Sequence, residues 1–164
     1  MIPSQAHHRR SIRLAGYDYA QAGWYFVTIC SHGKTCLFGE VVDRKMRLNG
    51  LGVIVKDSWA DLVNHYHHIT LDALVVMPNH LHGIIVLKPV LDVGVGAGFK
   101  PAPTSQGADG LHGLGEIIRG LKTFSARRIN QTRFNSGEPV WQRNYYEHVI
   151  RGEPALNRIR QYIL

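Results

Sequence analysis

Between Leu74 and Leu87 the chain reads LVVMPNHLHGIIVL, two apolar runs rich in Val and Ile on either side of Pro78, Asn79, His80, Leu81 and His82. Apolar runs of this length, interrupted by a Pro-Asn turn signal, read as two buried strands joined at Pro78 and Asn79. His80 and His82 then open the second strand. Successive side chains alternate across a strand, so both imidazoles project from one face and Leu81 from the other. Two imidazoles on a rigid strand lose little freedom on binding a shared metal ion, and they leave positions open for a substrate oxygen. The competing reading of so short a motif is two histidines at a strand end that bond locally or face solvent.

Upstream, Ile69 to Met77 is the strand that leads into this hairpin. Before it, a helix is expected from about Leu51 to Tyr66, capped near Asn49 or Gly50, with Leu51, Ile54, Val55, Trp59, Leu62 and Val63 on one stripe. His65, His67 and His68 at its end suit the negative pole of the helix better than a metal site. Gly23 to Cys30 alternates β-branched and aromatic residues and reads as a central strand, followed by a second strand from Thr35 to Val42 and a crossing segment from Asp43 to Asn49. Met1 to Ala22 reads as a basic arm. Its Arg9, Arg10 and Arg13, followed by Tyr17 and Tyr19, combine phosphate donors with rings that stack on unpaired bases, or form a solvated tail.

Downstream, Val90 to Gly113 is dominated by Gly, Ala, Pro and Ser and is expected to be a mobile loop inserted between strand and helix. A helix from Leu114 to Gln131 places Ile117, Leu121 and Phe124 on one face, Ile118 and Ile129 at its edge, and Arg119, Lys122 and Arg127 on a cationic face. Pro139 to Ile150 is extended, and Trp141, Arg143, Asn144, Tyr145 and Tyr146 supply stacking faces and phosphate donors there, or a sheet edge with aromatic core residues. The last helix starts at Pro154. Leu156, Ile159 and Ile163 form its stripe, which leaves Tyr162 at the border of the buried face with Arg158 one turn earlier.

The 164 residues suffice for one hydrophobic core, and a formal charge of +7 with a pI near 9.7 favours a polyanionic partner, nucleic acid before lipid. Cys30 and Cys36 have no metal-type or redox-type spacing, and MIPSQAHHRR has no apolar signal core. A reducing cytoplasm is the expected compartment, and no apolar span suggests a membrane.

VVMPNHLHGIIVL resembles the metal-binding strand of the single-tyrosine HUH transposases, most closely the REP-associated tyrosine transposases of bacteria. RRSIRLAGYDY (Arg9 to Tyr19), GWYFVTICS (Gly23 to Ser31), LFGEV (Leu37 to Val41), WQRNYYEHVIRGE (Trp141 to Glu153) and QYIL (Gln161 to Leu164) are similar to further blocks of that family in the same order. The resemblance implies an α+β, ferredoxin-like antiparallel sheet of about four or five strands with helices packed on it, as one domain. It further implies that His80 and His82 bind a divalent ion, Mg²⁺ or Mn²⁺, and that Tyr162 attacks a phosphodiester to leave a 5′-phosphotyrosine. The substrate would be single-stranded or hairpin DNA from repeated extragenic palindromes, met in the nucleoid by a monomer or homodimer. Arg9, Arg10, Arg13, Arg119, Lys122, Arg127, Arg143, Asn144, Tyr145 and Arg158 are the expected DNA contacts. No nucleotide cofactor is expected, because exchanging one phosphodiester for another conserves the bond energy. The family's amide ligand, four residues beyond the tyrosine, has no counterpart up to Leu164: either the natural chain continues past that residue, or the copy is decayed, and the alternative function is that of a domesticated relative that binds hairpin DNA with weak or no cleavage.

Overall fold

The computed structural model describes residues 16–89 and 112–163; Arg9, Arg10 and Arg13 and nearly all of the glycine-rich segment lie outside the described residues. The elements are β1 (Gly23–Cys30), β2 (Gly39–Val42), β3 (Lys45–Leu48), α1 (Gly50–Ala60), a short α2 (Leu62–His65), β4 (Ile69–Met77), β5 (His80–Leu87), α3 (Leu114–Thr132), β6 (Tyr146–Ile150) and α4 (Glu153–Ile163). The main sheet has four strands in the order β4-β5-β1-β6, with every neighbouring pair antiparallel. With the β2–β3 hairpin set aside, the chain runs β-α-β-β-α-β, which is the ferredoxin-like order expected.

Alternation along β1 and β5 divides the core in two. Tyr25, Val27, Ile29, Leu81, Ile85 and Leu87 face one way and are covered by α1 and α3 through Val55, Trp59, Leu114, Ile117 and Leu121. Phe26, Ile84 and Ile150 face the other way, against Leu156 and Ile163 of α4. His80 and His82 share the parity of Ile84, so they lie on the α4 side. Gly83, of the opposite parity, lets the Trp59 indole rest directly on the sheet, and a Cβ there would stand 2.4 Å from a ring carbon of Trp59. Gly83→Ala should therefore destabilise the chain by roughly 1–3 kcal/mol through overpacking. Urea unfolding reads the loss, which should be smaller in a Trp59→Leu background where the clashing ring atoms are gone.

Three local expectations need correction. The strand expected from Thr35 to Val42 is only Gly39–Val42, and it pairs with Lys45–Leu48, the segment read as a crossing, in a separate two-stranded sheet. The reversal holds Asp43 and Arg44 at φ 50° and 62°, the left-handed backbone of a tight hairpin turn. Asp tolerates that conformation but Arg seldom signals it, so the hairpin was hidden. The helix from Leu51 to Tyr66 is divided at Asp61, whose carboxylate accepts from Asn64 Nδ2 at 2.9 Å and Arg128 Nη2 at 3.3 Å. Its start is as expected, with Asn49 Oδ1 accepting from the amides of Leu51 and Gly52, each at 3.0 Å. Finally, Phe124 is 38% exposed and stacks on His65, while Ile118 and Ile129, expected at the edge of the stripe, are buried. Because α3 packs on α1 as well as on the sheet, its buried stripe is wider and turned from the one the sequence suggests.

Candidate active site

The Pro78–Asn79 turn is fastened before the histidines begin. Pro78 O accepts from the amides of Leu37 and Phe38 at 2.8 and 2.9 Å, and Asn79 O accepts from Ser31 N at 2.9 Å. Asn79 Nδ2 donates to Lys34 O at 3.2 Å, which turns Asn79 Oδ1 toward His80 Nδ1 at 2.7 Å. An amide oxygen only accepts, so His80 carries its proton on Nδ1 and offers the Nε2 lone pair. His82 Nδ1 lies 2.8 Å from the hydroxyl of Thr28, its cross-strand neighbour. The two Nε2 atoms then meet 3.1 Å apart.

Burial holds the pKa of both imidazoles below the usual value, His82 down to about 4 with the neighbouring His80 adding to the effect. Both rings are therefore neutral at pH 7, the form that binds metal. The two Nε2 atoms face one another, and each ring here has the oxygen partner on its far nitrogen that orients metal-binding histidines. The pair fits a divalent ion. Among the described residues no group of three or more His, Cys, Asp or Glu converges on one point.

Tyr162 reaches this pair from α4. Its Oη is 3.5 Å from His82 Nε2, its ring centroid is 5.4 Å from that of His82, and the side chain is 68% exposed. Phe26 stacks on His82 at 5.3 Å and meets Tyr162 edge-on at 6.4 Å, filling the space beneath both. Two attachments seat the helix: the apolar pair Leu156 and Ile163, and Arg160, which donates through Nε and Nη2 to the Asp72 carboxylate at the irregularity of β4 between Leu71 and Leu74.

Hydrogen bonding from Arg160 lowers the pKa of Asp72. Its folded value lies below that of an unfolded chain, about 3.9. The contribution of the pair to stability is thus complete above that pH and disappears as pH falls through the folded value. Asp72→Asn should unfold more readily than the wild type at pH 7, with the difference shrinking below about pH 4. Denaturant melts at the two pH values check this.

The other sequence candidates divide by face. Arg119, Lys122 and Arg127, expected to contact DNA, stand on α3, across the sheet from His80 and His82. Lys122 is already engaged: Nζ donates to the carbonyls of Gln142, Arg143 and Asn144 at 3.0, 3.3 and 3.1 Å and lies over the Tyr145 ring at 5.5 Å, and burial brings its pKa down to about 8. Arg119 pairs with Glu116 at 3.1 Å, and Arg127 is exposed. Trp141 is no stacking surface either, being buried against Phe38 with Nε1 donating to Ser125 Oγ at 2.9 Å. Tyr145 packs against the larger core, while Arg143 and Asn144 are exposed before β6 and Arg158 is exposed on α4. Tyr17 and Tyr19 pack as a ring cluster with Tyr25.

Sequence reasoning passed over Thr28, Asn79, Asp72, Arg160 and His148. Thr28, His148 and Tyr146 join the site because β1 pairs Thr28 with both His82 and Tyr146, and Phe26 with His148. Alternation within the segment from Pro139 to Ile150 would have separated Tyr146 and His148 from Tyr145 and Glu147, but not chosen the face.

The four-stranded antiparallel sheet with its packed helices shares its fold with a solved transposase. A REP-associated tyrosine transposase solved bound to a REP hairpin superposes with a TM-score of 0.56 over 92% of this chain and 70% of that chain, at 16% identity. A candidate transposase from Deinococcus radiodurans aligns more loosely, with a TM-score of 0.46 at 21% identity over 92% of this chain and 94% of that one, too loose to add to the first. No protein-family model matches. The chain belongs to one family with a Haemophilus influenzae protein described as uncharacterized, to which it is 41% identical over 160 residues, 96% of this chain and 87% of the relative.

Proposed function

We propose that the chain nicks and rejoins single-stranded or hairpin DNA of the repeated-palindrome type, with Tyr162 as nucleophile and a divalent ion held by His80 and His82. The observation that carries this is the approach of the Tyr162 hydroxyl to within 3.5 Å of His82 Nε2, on the same sheet face as both imidazoles and within one chain. The net charge of +7 suits a phosphate backbone, and the fold is shared with a transposase solved on a REP hairpin. Among the described residues no helix is long and apolar enough to cross a membrane.

In this reading His80 and His82 would hold the ion, which would supply Lewis-acid polarisation of a phosphate oxygen. Asn79 and Thr28 hold the imidazoles in register for it. Phe26 keeps water from the inner side of Tyr162, and Arg160 fixes the helix so that Oη points at the phosphate. The phenol gives up its proton, the Oη–P bond forms and the P–O3′ bond breaks, and the departing oxygen takes a proton to become a 3′-hydroxyl. Rejoining reverses these changes, which is why a nucleotide is not required.

The test is a labelled palindrome-bearing oligonucleotide incubated with the chain and Mn²⁺ or Mg²⁺. A protein–DNA adduct that survives denaturing electrophoresis is the expected result. Tight hairpin binding with no adduct under either metal would replace this reading with that of a DNA-binding relative.

A further inference from the structure

Three grooves adjoin one another, two on the sheet face that carries the histidines and a third wrapping the outer edge of β6, where Tyr19, Glu147 and Val149 of the opposite face line it beside Tyr146 and His148. The first, about 510 Å³, lies between the β2–β3 turn and β4, with Arg44 and Met46 on one wall and His80 on the other. The second, about 480 Å³, is bounded by Phe26, Thr28 and Ile159 and passes Tyr146 and His148. The third, about 430 Å³, continues from those two residues to Arg151 beyond the end of β6. His82 and Tyr162 line both the first and the second, and Tyr146 and His148 line both the second and the third. One trough therefore crosses the strands, with a guanidinium at each end and the histidine–tyrosine cluster between them.

Within it, one ring differs from the rest. Phe26 and Tyr162 are both engaged with His82, whereas Tyr146 is 49% exposed. Thr28 pairs with His82 on one side and with Tyr146 on the other. Tyr146 thus stands two strand spacings from His82 on the same face, roughly 10 Å away, within reach of a base on the nucleotide next to a phosphate held at His82. An unpaired base presents a face to such a ring, whereas a duplex keeps its bases stacked on one another.

We propose that the substrate is a single strand lying transverse to the sheet in this trough, with a base beside the attacked phosphate stacked on Tyr146 and with Arg44 and Arg151 each meeting a backbone phosphate. This rests on the nuclease reading for its central phosphate and its single-stranded substrate, and adds the path of the strand and the residues that meet it. It also separates the two adjacent tyrosines: Tyr146 meets the substrate, and Tyr145 packs in the core.

The experiment measures binding of an oligonucleotide with a palindrome and single-stranded flanks by fluorescence anisotropy, with 2-aminopurine placed in turn at each flanking position. Tyr146→Ala should weaken binding roughly 5- to 150-fold and abolish the quenching of 2-aminopurine at one position beside the nick, while Tyr146→Phe keeps both. Arg44→Ala and Arg151→Ala should each flatten the dependence of log affinity on log salt by about one unit, and Lys56→Ala, an exposed cation on α1 across the sheet, should leave binding unchanged. Unchanged binding and quenching in Tyr146→Ala overturn the proposal, and so does a Phe variant as impaired as the Ala variant. If no adduct forms but the variants behave as stated, the nicking reading falls and the path stands. If the adduct forms and Tyr146→Ala is indifferent, the reverse holds. A wild-type chain that binds no such oligonucleotide overturns both.

Discussion

Tyr162→Phe is expected to remove the covalent protein–DNA adduct, a loss of at least roughly a thousandfold, while leaving the fold and oligonucleotide binding close to wild type. The substitution deletes one atom, the Oη that stands 3.5 Å from His82 Nε2. The ring itself is 68% exposed and α4 is seated by Leu156, Ile163 and the Arg160–Asp72 pair, so the helix does not depend on the hydroxyl. Denaturing electrophoresis of labelled oligonucleotide measures the adduct, and anisotropy measures binding on the same preparation. Tyr146→Phe is the matching control, because its hydroxyl is not asked to react. An adduct that persists in Tyr162→Phe and disappears in Tyr146→Phe would move the nucleophile to β6 and undo the proposed chemistry.

Removing the imidazoles should have the second largest effect. His80→Ala or His82→Ala takes away one of the two proposed nitrogen ligands, and Mn²⁺ binding to the free protein, read by titration calorimetry, should fall below detection together with metal-dependent adduct formation. Thr28→Val and Asn79→Ala leave both ligands in place but release the far nitrogen of one ring each, and a loss of roughly 10- to 100-fold in metal affinity is expected for either. That ordering separates a metal site from a merely structural pair of rings. If the histidines only pack against Phe26, Thr28→Val would leave Mn²⁺ titration unaltered, and EDTA would leave the adduct untouched. Undiminished Mn²⁺ binding by His82→Ala would rule the pair out as the metal site.

The reach of the sequence is clearest where a pattern belongs to a single segment. Alternation in HLHGIIVL placed both imidazoles on one side of β5, the polar residue before a helical stripe marked the Asn49 cap, and the position of Tyr162 beside the Leu156–Ile163 stripe kept its phenol outside the core. It went wrong where a segment had a choice of neighbours. The cationic side of α3 read as a DNA contact, and the larger core drew that helix to the face opposite the histidines, with Lys122 drawn in to serve three carbonyls of the chain before β6. The β2–β3 hairpin escaped notice because its turn rests on an arginine in left-handed backbone.

By itself the sequence determined that His80 and His82 share a face and that Tyr162 borders a buried helical stripe, since alternation and helical period act within a few residues. Only the tertiary structure decided that Thr28 and Tyr146 flank the same strand position as His82, and that Arg160 meets Asp72 across 88 positions to bring Tyr162 to the imidazoles. The physical reason is that strand order and helix docking follow from burying both faces of one sheet at once, a balance summed over the whole chain.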